Sequence, residues 1–135
     1  MPPTQTRTVV LVEDNPALQR LISMYVKRLG FEVFVTADGD AGVKEITLRK
    51  PDLVCLDLML PRLSGYDVCE RVRKDPVLAR IPILMISART APEDRAHAEE
   101  VGVNAFLTKP FKEEAFARVV RRLLAEATPG GVETA

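Results

Sequence analysis

The sequence predicts an α/β domain with one parallel sheet of five strands, doubly wound so that helices cover both faces. Strand-like and helix-like patterns alternate five times along the chain, the arrangement that joins parallel strands by helical crossovers. Four apolar runs, Val9 to Val12, Leu53 to Leu56, Ile83 to Ile86 and Ala105 to Leu107, contain almost no polar residue, as expected of strands buried on both faces. Each run is followed by a polar signal: Glu13 and Asp14, Asp57, Ser87, and Lys109 with Pro110. The carboxyl ends of the strands form the ligand crevice of an open α/β sheet. Three carboxylates, one hydroxyl and one ammonium are therefore delivered to a single spot.

The elements follow in order. After the first strand, Asn15-Pro16 supplies an N-cap and a first-turn proline, and Leu18, Leu21, Ile22, Tyr25, Val26 and Leu29 recur at helical spacing up to Gly30. Glu32 to Thr36 alternates apolar and polar residues, which suits a sheet edge. Residues 38–49 form the weakest helix, because Gly42 in its interior costs about 1 kcal/mol relative to Ala. Pro51-Asp52 restarts the chain into the third strand. The third helix opens near Ser64-Gly65, carries Val68, Cys69 and Val72 inward, and stops before Asp75-Pro76. Pro82 leads into the fourth strand. Thr90 and Glu93 have capping-box spacing, so the fourth helix is expected to run to about Val101 with Gly102 as its cap. The fifth helix has the cleanest stripe, Phe116, Val119, Val120, Leu123 and Leu124. Residues 1–7 read as a disordered segment, 8–126 as the domain, and 127–135 as a flexible tail or linker stub.

A chain of 135 residues with 47% hydrophobic content can bury one core. Lys plus Arg equals Asp plus Glu at 19 each, so no long-range field draws the chain to nucleic acid or to an anionic membrane. Cys55 and Cys69 fall in a predicted strand and a predicted helix without metal-type spacing, and read as buried reduced thiols. The first residues hold no apolar segment long enough for export or for spanning a bilayer. A cytoplasmic protein is expected. His97 has no second histidine or cysteine at ligand spacing and reads as a surface residue.

In the flavodoxin-like strand order 2-1-3-4-5 the first and third strands are neighbours, so Glu13, Asp14 and Asp57 crowd together. Like charges that close raise one another's pKa unless a cation neutralises them. Mg²⁺, which takes one or two carboxylates and keeps several waters, suits such a site. Lys109 adds a second positive charge. This constellation fits phosphoryl transfer, with Asp57 as the nucleophile that forms an aspartyl-phosphate and with Ser87 and Lys109 binding the phosphoryl oxygens. Taken singly, Asp14 beside Asn15-Pro16 reads equally as helix capping, Ser87 as a turn residue, Lys109 as a loop lysine and Phe106 as core. Their joint placement is what points to a site.

Four strings carry a resemblance: Val-Leu-Val-Glu13-Asp14-Asn-Pro; Pro51-Asp-Leu-Val-Cys-Leu-Asp57-Leu-Met-Leu-Pro61-Arg-Leu-Ser-Gly65; Pro82-Ile-Leu-Met-Ile-Ser87-Ala88; and Phe106-Leu-Thr-Lys109-Pro110-Phe111. Over roughly residues 8–125 the chain resembles the receiver domain of bacterial two-component response regulators. The resemblance implies Asp57 as phosphoacceptor, Asp14 as a direct Mg²⁺ ligand, Glu13 as a ligand through water and the Met59 carbonyl as a further ligand. It also implies Ser87 as the switch hydroxyl, Lys109 as the phosphate-binding lysine, a cis Lys109-Pro110 peptide, and Phe106 as the switch aromatic where the family often carries tyrosine. Met59 and Arg89 would flank the approach of water to Asp57.

The function so implied is a phosphorylation-activated switch rather than an enzyme, catalysing only its own phosphorylation and slow dephosphorylation. Its partners would be a sensor histidine kinase or phosphotransfer protein, and a downstream protein that reads the surface of the fourth helix, fifth strand and fifth helix. Relatives that dimerise to drive DNA-binding domains carry acidic residues before the fifth strand, where this chain has Val103 and Asn104. A monomeric stand-alone receiver without nucleic-acid or membrane contact is expected. The alternatives are a receiver belonging to a larger DNA-binding regulator or hybrid kinase, and an aspartate-nucleophile phosphohydrolase. The latter would carry a second Asp as acid-base where Met59 stands. A nucleotide or flavin binder is disfavoured, because no glycine-rich turn follows the first strand.

Overall fold

The structure, a computed structural model, describes residues 6–89 and 91–126. Thr90, the segment through residue 5 and the tail from residue 127 lie outside the described residues. Five strands and five helices alternate: β1 (Thr8–Val12), α1 (Pro16–Arg28), β2 (Glu32–Thr36), α2 (Gly39–Arg49), β3 (Leu53–Asp57), α3 (Gly65–Lys74), β4 (Ile83–Ser87), α4 (Pro92–Glu100), β5 (Ala105–Thr108) and α5 (Glu113–Glu126). The strands form one parallel sheet in the order β2-β1-β3-β4-β5, as the sequence predicts.

Because side chains alternate across a strand, the central strands feed two cores. Val9, Leu11, Leu53, Cys55, Leu84 and Ile86 meet Ile22 and Val26 of α1 and Phe116, Val120, Leu123 and Leu124 of α5. Val10, Val12, Val54, Leu56, Ile83 and Met85 meet Ile46 of α2 and Val68, Cys69 and Val72 of α3 on the other face. β3 and β4 are buried along their whole length. β5 departs from the expected buried strand: all four of its residues are only half-buried, because it forms the second edge of the sheet.

The local signals act as expected at most helix ends. The Asn15 side chain accepts from the Leu18 N–H with Pro16 in the first turn, and Ser64 and Asp67 complete a capping box at α3. At α4 the cap moves. The helix begins at Pro92, so the N-cap is Ala91, which has no side-chain oxygen to serve as a cap, and the Thr90 of the expected box lies outside the described residues. Gly42, costly by helix propensity, is what lets α2 lie against β1: a Cβ there would meet the two Val12 methyls at 2.8 and 2.9 Å. Cys55 and Cys69 are buried and free, as expected. Burial pushes the Cys55 thiol up to about 12 and the Cys69 thiol to about 11. Among the described residues no helix is long and apolar enough to cross a membrane.

Candidate functional site

Strand register assembles the site. Val12 of β1 lies level with Leu56 of β3, so Glu13 comes level with Asp57. Asp57 pairs with Ile86 and Ser87 with Thr108, which sets Ser87 and Lys109 one step further along. Backbone bonds continue the ladder past the strand ends, from Leu58 N–H to the Ile86 carbonyl at 3.2 Å and from Lys109 N–H to the Ser87 carbonyl at 2.9 Å. The residues named from sequence thus come together, except Phe106, which lies within β5 and packs on the α3-side core.

Lys109 is the centre of the cluster. Its Nζ donates to Asp57 Oδ2 at 2.9 Å and to Glu13 Oε1 at 3.2 Å. Glu13 is 1% exposed, and its other oxygen accepts from the Asn15 N–H at 3.0 Å. Asp57 Oδ1 accepts from the Met59 N–H at 3.0 Å, while the Met59 side chain stands out in solvent at 60% exposure. The Ser87 hydroxyl is buried and accepts from the Arg89 N–H at 3.0 Å. The Lys109-Pro110 peptide is cis. Gly65 brings the start of α3 under Asp57: a Cβ there would fall 2.5 Å from the Asp57 carbonyl oxygen and 2.8 Å from Leu58 Cα. No other residue fits.

Electrostatically the cluster is unbalanced. Burial raises the Glu13 pKa, and the nearby Asp57 charge adds to the rise against the opposing Asn15 N–H and Lys109. Burial alone would lower Lys109, but its hydrogen bond and charge interaction with Asp57, joined by Glu13, raise it. Asp14 is exposed, and among the described residues no lysine or arginine pairs with it. Ligand oxygens of Glu13, Asp14 and Asp57 lie within 4.8 Å of one another. Three oxygen donors so placed, with one ammonium between two of them, fit a hard divalent cation.

A cleft of about 400 Å³ opens beside the cluster, lined by Asp14, Met59, Pro61, Ser64, Tyr66 and Arg89. A larger hollow of about 680 Å³ runs along α1, past Met24 and Val35, but is lined by no carboxylate; the carboxylate cluster adjoins the smaller one. The structure adds Tyr66 and Asp94, which sequence reasoning passed over, and joins them to Arg89 and His97. Tyr66 O–H reaches Asp94, Arg89 pairs with the same carboxylate at 3.1 Å, and His97 stacks on the Tyr66 ring with centroids 4.0 Å apart. His97 is exposed, as expected. Nothing in local spacing signals this group, because its members come from two helices, α3 and α4, and the loop that leads into α4.

Fold and site define a doubly wound α/β domain with a carboxylate and lysine crevice at the strand ends. The description of the response regulator receiver domain family matches residues 9–121, and the chain belongs to that family. It is 37% identical over 116 residues to the DNA-binding dual master transcriptional regulator RpaA of Synechocystis sp., covering 86% of this chain and 48% of that one. The chain spans about half the length of the curated relatives it matches. Among solved structures, it superposes with a TM-score of 0.83 and 32% identity on the receiver domain of the sensor histidine kinase PA1611 from Pseudomonas aeruginosa, covering 89% of this chain and 98% of that one; that structure has a magnesium ion coordinated in its active site cleft. It superposes on the chemotaxis protein CheY4 of Vibrio cholerae with a TM-score of 0.84 and 26% identity, covering 88% and 99%. Receiver domains are signalling modules of two-component systems rather than classical enzymes, and they interact with histidine kinases or phosphotransfer proteins.

Proposed function

We propose that this domain takes a phosphoryl group from a partner histidine kinase, or from a phosphotransfer protein, onto Asp57 and signals by an altered surface. The observation that carries the proposal is the Lys109 ammonium held 2.9 Å from Asp57 and 3.2 Å from Glu13. A structural ion pair needs one carboxylate, whereas this lysine faces two, beside a third, Asp14, with which no lysine or arginine among the described residues pairs. Asp14, Asp57 and the Met59 carbonyl would hold Mg²⁺ directly and Glu13 through water. When bound, the ion neutralises the carboxylates and the incoming phosphoryl oxygens.

The chain's own groups do the rest. An Asp57 carboxylate oxygen attacks phosphorus; the new P–O bond forms as the P–N bond of the phosphohistidine breaks, and the imidazole leaves with that electron pair and takes a proton from solvent water. Lys109 stays beside the transferred group as a point charge. The Ser87 hydroxyl turns from the Arg89 N–H to a phosphoryl oxygen and donates to it. β5 and the adjoining α4 and α5 then re-form the surface that a downstream protein reads. Phe106 is already half-buried against the core, with the Arg95 guanidinium 5.0 Å above its ring, so its inward state needs little further burial and the shift on activation is small. We assign residues 8–126 to this domain.

The test is labelling with acetyl phosphate. Phosphoryl uptake is expected only with Mg²⁺, to vanish in Asp57→Asn, and to need more Mg²⁺ in Asp14→Ala. Uptake that persists in chelator or in Asp57→Asn sinks the assignment.

A second reading, the receiver part of a DNA-binding regulator, is favoured by the likeness to the DNA-binding regulator RpaA. Asn104, placed where dimerising regulators carry acid, is engaged inward by the Ile83 N–H and Arg73 at 2.7 Å each, which favours a monomer. Light scattering with beryllofluoride separates the two: a monomer supports the first reading and a phosphorylation-dependent dimer the second.

A further inference from the structure

Beside the cleft sits a buried charge that the phosphoryl chemistry does not use. Asp94, in the first turn of α4, is 7% exposed. Both its oxygens are taken: Tyr66 O–H lies 3.2 Å from Oδ1, and Arg89 Nε lies 3.1 Å from Oδ2. Tyr66 O–H also lies 3.0 Å from the Asp94 carbonyl, and the Tyr66 ring is stacked on His97. Burial, with the neighbouring Asp94 charge, raises the Tyr66 pKa, so the phenol stays a donor at neutral pH. With the Arg89 side chain 54% exposed, this ion pair contributes little net stability. What it does is fix where Arg89 lies. Arg89 is tied twice, by its N–H to the Ser87 hydroxyl and by its guanidinium to Asp94, and its side chain lines the cleft with Asp14 and Met59.

We propose that Asp94 is a positioning residue: together with Tyr66 it holds the Arg89 guanidinium against α4, withheld from the carboxylate cluster until phosphoryl chemistry releases it. The inference rests on the reading of Asp57 as phosphoacceptor. Two anions compete for one guanidinium, Asp94 in the resting arrangement and the phosphoryl group at the cleft. As a phosphodonor enters, its phosphoryl oxygens draw the Ser87 hydroxyl, the Arg89 N–H loses its acceptor and the same residue loosens. Released, the guanidinium offers paired donors to an anionic phosphodonor at the mouth of the site. In the resting domain Asp94 therefore slows phosphoryl capture.

The experiment measures initial labelling of the full chain by acetyl phosphate with Mg²⁺. Asp94→Asn keeps the shape and the acceptor for Tyr66 but removes the charge. Its rate is expected to rise roughly fivefold, the scale of one half-exposed ion pair, and the rise is expected to vanish when Arg89→Ala is added. A rate at or below that of the unsubstituted protein, or the same rise in the Arg89→Ala background, overturns the proposal. Should Asp94→Asn fold poorly, Tyr66→Phe keeps the ring on His97 and removes only the donor, with a rise of roughly twofold expected. The Arg89 Nε–H resonance, followed by ¹⁵N NMR without any phosphodonor, is expected to move between the unsubstituted protein and either variant; an unmoved resonance overturns the latch. A moved resonance in a protein that takes up no phosphoryl group supports the latch and overturns the Asp57 reading alone.

Discussion

At the amino-terminal end of the sheet, Arg73 makes five hydrogen bonds, to the carbonyls of Ala79 and Ile81, twice to that of Gly102, and to Asn104 Oδ1, at 2.7 to 3.0 Å. At the carboxyl end, Lys109 faces Glu13 and Asp57. Both cations are half-buried. Arg73 meets only neutral oxygens, and burial lowers its pKa; Lys109 meets two carboxylates that raise its own. Arg73 satisfies every donor of its fork and ties the segments before β4 and β5 to α3. Such a group fastens. Lys109 shares one ammonium between two charged partners in a crowded cluster, an arrangement that a phosphoryl group can rearrange. One end of the sheet is completed by hydrogen bonds to neutral oxygens, and the other gathers the charges on which the proposed phosphoryl transfer rests.

That contrast can be broken by exchanging the effects. Arg73→Met strands three backbone carbonyls and removes one of the two donors to Asn104 Oδ1, and is expected to cost about 3 kcal/mol in urea unfolding, with phosphoryl labelling unchanged at a temperature where the variant is folded. A loss under about 1 kcal/mol would mean that Arg73 is not a fastener. Lys109→Met is expected to lower labelling by roughly 100-fold, while unfolding in Mg²⁺ buffer moves far less than for Arg73→Met. Stability loss of equal size at both positions would erase the distinction.

Smaller effects sharpen it. Asp14→Asn removes one of three close like charges, so in chelator the variant should be more stable by about 1 kcal/mol; the gain should shrink on adding Mg²⁺. Destabilisation in chelator would show that the carboxylates do not repel. Met59 stands exposed beside Asp57 and, like Arg89, offers no carboxylate or amide to orient a water. Decay of phosphorylated protein is therefore expected to be slow, and Met59→Asn to speed it a few-fold. An unchanged decay rate would remove the Met59 side chain from control of water access.

Much of this architecture was legible in the residues. The uninterrupted apolar runs of β1, β3 and β4 reveal central strands because both faces of a parallel sheet are covered, and the alternation in Glu32 to Thr36 reveals an edge. The run Ala105 to Leu107 looks like the central strands and yet borders solvent, since apolar content reports burial by all neighbours and not which strand comes last. Asn15-Pro16 and Ser64 reveal helix starts because capping is local chemistry. The start of α4 did not follow that rule: its N-cap is Ala91, without a side-chain cap, and its first turn is tied to α3 by the Tyr66 bond to Asp94. Gly42 reads as a defect by propensity and proves to be the contact through which α2 meets β1.

By itself the sequence determined the strand ends and the polar residues standing on them, since apolar periodicity and a polar residue after each run are properties of consecutive residues. Only the tertiary structure decided which charges face each other. The pairing of Lys109 with both Glu13 and Asp57, the donors of Arg73, and the hold of Asp94 on Arg89 join groups from separate elements. Their distances follow from strand register and helix packing, and an electrostatic interaction depends on distance and burial, neither of which is written in the order of the residues.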